Sequence, residues 1–317
     1  MIRILVAFHV KLLSLAKHLY IKCTTLIAVN ERSGIYLMKL EVFDDRRSIL
    51  GEGPCSYGVD HETVTWIDIL GCKVFSRHLR SGAISEISTK EHVSFAIPCI
   101  DGGLLLGMTS EIERSEIDSE PMRWNDAKVA PNGDLWLGTM GYAEINPVGA
   151  LYRMKGGSRT VEKIIPGVTV SNGLAWSADF ATMYYIDSPT RSLQAFDFNN
   201  GEVSHGRVVA RFPDSYGYPD GMSADVQGGM WISFWLGSAV RRFDSLNNFQ
   251  MTEVIETPVK RTTSSTFAGK NLETLIITTA HKNVPTEPMA AGMTFIAHPG
   301  VRGISIPLFD RAKPPLQ

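Results

Sequence analysis

Two carboxylates and two side-chain amides stand at matching places along the sequence: Glu52, Asn125, Asn172 and Asp220. Asn172 lies twelve positions before Tyr184, at the mouth of a short apolar stretch. A similar count back from Trp66, Trp136 and Trp231 reaches Glu52, Asn125 and Asp220, and two further copies put Ser94 before Leu105 and the Ser264-Ser265 pair before Ile276. Carboxylate and amide oxygens without His or Cys describe a site for a hard divalent cation, completed by waters or substrate. Two carboxylates facing one another in a narrow channel repel unless a cation neutralises them. Taken singly, Asn172-Gly173 and Asp220-Gly221 read as ordinary turn dipeptides; the shared register is what favours a metal. Glycine and proline beside these positions (Gly51, Gly53, Pro54, Gly173, Pro219, Gly221) let backbone approach closely and hold sharp turns.

What must position these side chains is a repeat. Val170 to Asp187 reads as a strand, a tight turn and a second, aromatic strand. Copies occur at Asp60–Asp68, Asp101–Gly107, Pro131–Thr139, Asp225–Ser233 and Gly269–Thr278. That makes six, spaced roughly 30 to 50 residues apart, a period of propellers rather than helical solenoids. Most copies run on into another strand: Lys73–His78, Gly149–Arg153, Ser192–Asp197, Ala239–Asp244 and Gly292–Ile296. A β-sandwich does not repeat its sequence. The expected fold is therefore all-β, a six-bladed β-propeller whose first strands line a central channel. In such a ring the six polar positions encircle one opening. Trp66, Trp136, Trp176 and Trp231 fall on strand positions and read as packing residues rather than as a sugar-stacking platform.

The 31 Lys and Arg and 33 Asp and Glu are mixed throughout, for a net charge of −2. With no basic stripe, nucleic acid is not expected as a partner. Residues 1–37 do not fit the repeat and are expected to be an extension outside the functional protein, with the propeller domain over 38–317. Their apolar start loosely resembles a signal peptide, but Lys11 interrupts the run, no small-x-small cleavage site follows, and the run is too short to span a membrane. Cys23, Cys55, Cys72 and Cys99 include no CxxC pair and read as free thiols, a Cys55–Cys72 bridge being the alternative. With no Asn-x-Ser/Thr sequon, the expected setting is cytoplasmic, a signal or anchor being the second reading.

Leu50-Gly-Glu-Gly-Pro54, Arg123-Trp-Asn-Asp126 with Lys128-Val129 and Gly138-Thr-Met140, Ser171-Asn-Gly-Leu174 with Tyr185-Ile-Asp-Ser188, Pro219-Asp-Gly-Met222, and Thr262-Thr-Ser264 with Gly269-Lys-Asn271 follow one another in order. Together they resemble the gluconolactonase, regucalcin and senescence-marker-protein family. The resemblance implies a divalent metal held by Glu52, Asn172 and Asp220, with Arg123 and Asn125 binding substrate hydroxyls. Ala127 stands where a glycine is common in that motif. A substrate-contacting glutamate of some relatives aligns with Ala143, whose neighbour is Glu144.

The reaction implied is hydrolysis of a sugar lactone to the aldonic acid. A cation, one of Ca²⁺, Mg²⁺, Mn²⁺ or Zn²⁺, would polarise the lactone carbonyl, and Asp220 would serve as general base for water, with Glu52 as the other candidate. No Gly-x-Ser-x-Gly elbow, His-Glu-x-x-His or phosphate-binding glycine loop competes. The rival expectations are another metal-dependent propeller hydrolase, acting on phosphoesters or non-sugar lactones, and a non-enzymatic calcium-binding propeller.

Overall fold

The structure is a computed structural model that describes residues 38–58, 60–109 and 120–311. The expected extension at 1–37, with Cys23, lies outside these residues. Strand β1 (Leu40–Asp44) comes first. Then β2 (Gly51–Tyr57), β3 (Thr63–Asp68), β4 (Lys73–His78) and β5 (Ile84–Ser88) form one four-stranded blade. A hairpin follows, β6 (Val93–Pro98) and β7 (Leu104–Met108). Two blades come next: β8 (Met122–Val129), β9 (Leu135–Gly141), β10 (Gly149–Met154) and β11 (Val161–Val168), then β12 (Ser171–Trp176), β13 (Thr182–Asp187), β14 (Ser192–Asn199) and β15 (Glu202–Arg211). Another holds β16 (Tyr218–Ala224), β17 (Gly229–Trp235), β18 (Ala239–Asp244) and β19 (Gln250–Glu256). The last holds β20 (Thr262–Ala268), β21 (Thr274–Thr279) and β22 (Thr294–Ala297), with β1 as its outer strand.

The architecture is an all-β propeller, and the expectation of six blades is corrected. Five sheets have four strands; the remaining repeat is the two-stranded β6–β7 sheet among the described residues. In the sequence, too, this copy is the one with no following strand picked out after it. The inner strands nonetheless pack side by side in a closed ring, β2, β6, β8, β12, β16, β20 and back to β2.

The ring is closed by sequence-distant pairing: β1 runs antiparallel to β22, with Leu40 opposite Ala297 and Val42 opposite Phe295. The core sits between adjacent sheets rather than inside any one of them. Trp66, Trp136 and Trp231, one per blade on the second strand, are fully buried. Trp66 packs on Phe43 of β1 with ring centroids 6.0 Å apart, and Trp231 meets Phe267 of the next blade edge-on at 6.2 Å. These are packing residues, as their strand positions imply; a buried Trp or Phe truncated to Ala typically costs about 3–5 kcal/mol. Cys55, Cys72 and Cys99 are free, so the Cys55–Cys72 bridge is not formed. No helix among the described residues is long and apolar enough to cross a membrane.

The C-terminal segment crosses one end of the ring. Gly303 bridges to Asp225, Gly303 N donates to Leu272 O, and Phe309 bridges to Cys99 and is buried beneath the hairpin. Ile304, Ile306, Pro307 and Leu308 roof a space at that end whose floor includes Asp126 and Lys128.

Candidate active site

Every inner strand breaks its ladder at the ring position. The pairing register shifts between Glu52 and Cys55, Val93 and Phe95, Trp124 and Ala127, Asn172 and Leu174, Pro219 and Met222, and Thr262 and Ser264. A β-bulge leaves its extra residue unpaired and bends the strand, which re-aims a side chain. Here the bulged segments carry Glu52, Asn125, Asn172 and Asp220. Two of them are anchored from behind by repeat residues. The Asp68 carboxylate accepts hydrogen bonds from the amides of Ile49 and Leu50, both at 2.9 Å, just ahead of Glu52. Asp187 does the same for Thr169 at 3.1 Å and Val170 at 2.9 Å, just ahead of Asn172.

The ring is tight, and glycine makes it so. A Cβ on Gly173 would lie 2.6 Å from the carbonyl oxygen of Asp220 and 2.9 Å from Ile186 Cδ1. One on Gly221 would lie 2.1 Å from Ser264 Oγ. Beside Asn172 and Asp220, therefore, neighbouring inner strands approach to distances that no other residue permits.

At the open end, Glu52, Arg123, Asn125, Asn172 and Asp220 line one cavity of about 320 Å³, together with Leu50, Met140, Glu144, Val170, Ser188, Pro189, Tyr218, Trp235 and Lys282. All five residues expected at the site share it. Ser264 instead lines the roofed space at the other end, and Ser94 and Ser265 line neither.

Hydrogen bonds fix the orientation of the amides. Asn172 Nδ2 donates to Ser188 Oγ at 2.8 Å, and that hydroxyl donates to Pro219 O at 2.6 Å. Asn125 Nδ2 donates to Asn172 Oδ1 at 2.8 Å and to Ser171 O at 2.7 Å. Arg123 Nη1 donates to Asn125 Oδ1 and, at 3.0 Å, to Trp124 O. The chain Arg123–Asn125–Asn172–Ser188–Pro219 thus spans three inner strands.

The carboxylates are less well served. Glu52 Oε2 accepts from Gly53 N at 3.1 Å, while Asp220 Oδ1 is buried with no hydrogen-bond partner. Burial, and then the nearby charge of Asp126, push the Glu52 carboxyl from 4.5 up to about 8. Burial and the charge of Glu52 raise Asp220 well above the usual carboxylate range. Two carboxyls that resist ionising together, Glu52 half-buried and Asp220 buried with an orphaned oxygen, are a donor set that a divalent cation fits. Among the described residues no three His, Cys, Asp or Glu side chains are grouped to hold a metal. Such an ion would therefore draw on Asn172 Oδ1 as well as on Glu52 and Asp220, with waters or substrate completing the shell.

Glu144, Trp235 and Lys282 were not expected at the site. Glu144 lies between β9 and β10, Trp235 ends β17, and Lys282 lies between β21 and β22. Lys282 Nζ is 3.4 Å from Glu144 Oε1 and 5.2 Å from the centre of the Trp235 ring. The only pointer in the sequence was Glu144 as neighbour of Ala143.

Comparison with known proteins shows the family and the fold. The sequence pattern of a family described as the SMP-30/gluconolactonase/LRE-like region matches residues 50–281. A Bacillus subtilis (strain 168) protein named, provisionally, a sugar lactone lactonase is 32% identical over 271 residues, covering 78% of this chain and 91% of that one. Regucalcin of Danio rerio is 31% identical over 288 residues, covering 84% of this chain and 97% of its own. A solved structure of Agrobacterium tumefaciens C58 regucalcin, described as calcium-binding, superposes with a TM-score of 0.75 at 24% identity, covering 87% of this chain and 99% of that one. At that identity the likeness speaks for the fold alone.

Proposed function

The chain belongs to the SMP-30/gluconolactonase/LRE-like family, and from that premise we propose that it hydrolyses a sugar lactone to the aldonic acid with the help of one divalent cation. The observation that carries this reading is the meeting of Glu52, Arg123, Asn125, Asn172 and Asp220 in one cavity. Glu52, Asn172 and Asp220 would hold the cation, which when bound supplies Lewis-acid polarisation of the lactone carbonyl and charge stabilisation of the tetrahedral oxyanion.

The remaining work falls to side chains. Asp220 takes the proton from the attacking water. Its Oδ1 is buried with no hydrogen-bond partner. A positioned general base contributes typically ~10²–10⁴-fold in rate. Arg123 and Asn125 bind and orient ring hydroxyls. Their mutual hydrogen bond and the grip of Asn125 on Ser171 O hold them in place before substrate arrives, which lowers the cost of orienting them in the complex. Ser188 holds the Asn172 amide in one orientation.

The deciding experiment is a panel of gluconate-, xylonate-, arabinonate- and galactonate-type lactones, assayed beside a phosphotriester. Each is run with protein stripped by chelator and reloaded separately with Ca²⁺, Mg²⁺, Mn²⁺ and Zn²⁺. Cation-dependent lactone turnover supports the reading. Turnover of the phosphotriester alone points to another propeller hydrolase, and cation binding without any turnover points to a binding protein.

A further inference from the structure

The cavity lining has two cations, and they are differently employed. Arg123 is buried and spends Nη1 inward on Trp124 O and Asn125 Oδ1. Lys282 lies on the connection between β21 and β22. Its ammonium is held against Glu144 at 3.4 Å, with the Trp235 indole 5.2 Å away. The side chains of Lys282 and Glu144 are 37% and 47% exposed, so their pair is reached by solvent.

Both partners are fixed at the backbone. Lys282 N donates to Ile49 O at 2.8 Å, directly beside the strand that carries Glu52, and Glu144 N donates to Gly141 O at 3.2 Å. Lys282 and Glu144 both adopt left-handed backbone, φ 45° and 59°, a region that non-glycine residues seldom occupy unless their surroundings hold them there. The ammonium is therefore presented to the cavity from a fixed point rather than from a free loop.

An exposed ion pair contributes little, a median of about 0–1 kcal/mol, so Glu144 is an exchangeable partner. A lysine has three donors, and a ligand carboxylate can join Glu144 or displace it. A hydroxyl in the same place gains less, because hydrogen bonds between charged groups are roughly twice as strong as neutral ones.

We propose that Lys282 is a specificity-determining residue that binds a carboxylate at the end of the substrate remote from the lactone carbonyl, so that the cavity favours lactones of acidic sugars over uncharged ones, with Glu144 setting the strength of that preference by competing for the ammonium. This rests on the sugar-lactone reading of the same cavity, with the reacting carbonyl at the Glu52, Asn172 and Asp220 floor and the far end of the sugar at the rim.

Two pairs of probes differing at one carbon test it. Gluconolactone carries a hydroxymethyl group where glucarolactone carries a carboxylate, and gluconate and glucarate are the corresponding open acids. The ratio of kcat/KM for glucarolactone over gluconolactone should be above one in the wild type. It should fall about five- to tenfold in Lys282→Met, be largely kept in Lys282→Arg, and rise in Glu144→Gln. Calorimetric binding of glucarate against gluconate to the cation-loaded protein should shift the same way, and raised salt should erode the preference.

Calorimetry needs no turnover, which separates the two ideas. A wild type that hydrolyses lactones, with ratios unmoved in Lys282→Met and Glu144→Gln, overturns the role of Lys282 and leaves the lactonase reading standing. A wild type that hydrolyses neither lactone, yet prefers glucarate in a Lys282-dependent way, does the reverse. Lys282→Arg, which keeps the charge, guards against loss of preference through misfolding, as does an unchanged melting temperature.

Discussion

Asn125 donates a 2.8 Å hydrogen bond to Asn172 Oδ1, joining a residue expected to touch substrate to one expected to hold the cation. One lone pair of that oxygen is thereby spoken for and the other is left for the cavity. Arg123 holds Asn125 from the other side, so the three side chains act as a unit.

Replacing Asn125 should therefore be felt mainly in substrate binding. In Asn125→Ala, KM for the preferred lactone should rise about tenfold, from the loss of hydrogen bonds to charged and polar partners. Cation affinity should fall by a smaller factor, because Asn172 is still held by Ser188. Steady-state kinetics beside a cation titration separate the two, and a drop in kcat with KM unchanged would contradict the assignment.

Asp220 is expected at both the cation and the proton transfer. Asp220→Ala should abolish turnover, and Asp220→Asn, which keeps the shape, should lower kcat by ~10²–10⁴-fold while weakening the cation. Full activity in either variant removes Asp220 from its role.

The pH dependence of the cation-free protein follows from Glu52. Its folded carboxyl titrates near 8 against 4.5 ordinarily, so the folded state binds the extra proton between those values. Stability from this group is complete below about 4.5 and is lost as pH rises through about 8. Asp220 and Asp126, also raised first by burial, act in the same direction. The melting temperature of chelator-treated protein should fall from pH 5 to pH 8, less steeply in Glu52→Gln. Saturating divalent cation should remove the fall, since it favours the ionised carboxylates. A melting temperature that climbs over this range in the stripped wild type would refute the account.

Gly173 tests the closeness of the ring. A methyl group there would meet Asp220 O at 2.6 Å, and backbone cannot step aside as a flexible side chain can. Gly173→Ala should cost about 1–3 kcal/mol of stability and weaken cation binding at the same time, as β12 and β16 are forced apart. Thermal unfolding and cation titration on one sample check both; a variant with native melting and native affinity would show that the approach is slack.

The site was legible where it follows the repeat. Glu52, Asn125, Asn172 and Asp220 could be found because each occupies the same place before a strand residue that packs between blades, and the structure puts a bulge at that very place. Position along a strand does not give depth in the channel, so Ser264 was expected at the same opening and lines the other end. Glu144 and Lys282 lie on connecting loops, and what joins them is an ion pair across 138 residues that no local pattern records. The hairpin β6–β7 was the reverse case: the series of following strands had a gap after Gly107, and among the described residues that sheet has two strands. Strand β1 immediately precedes the first repeat in the sequence, while its hydrogen bonds go to β22.

That last pairing bears on how the protein is made. The contact of Arg47 with Ala291, next to the β1–β22 seam, spans 244 residues. At a synthesis rate of roughly 5–20 residues per second, the partner of β1 leaves the ribosome on the order of 10–50 s after β1 itself. During that interval the early blades can form as hairpins, but the circle has no clasp until β22 arrives.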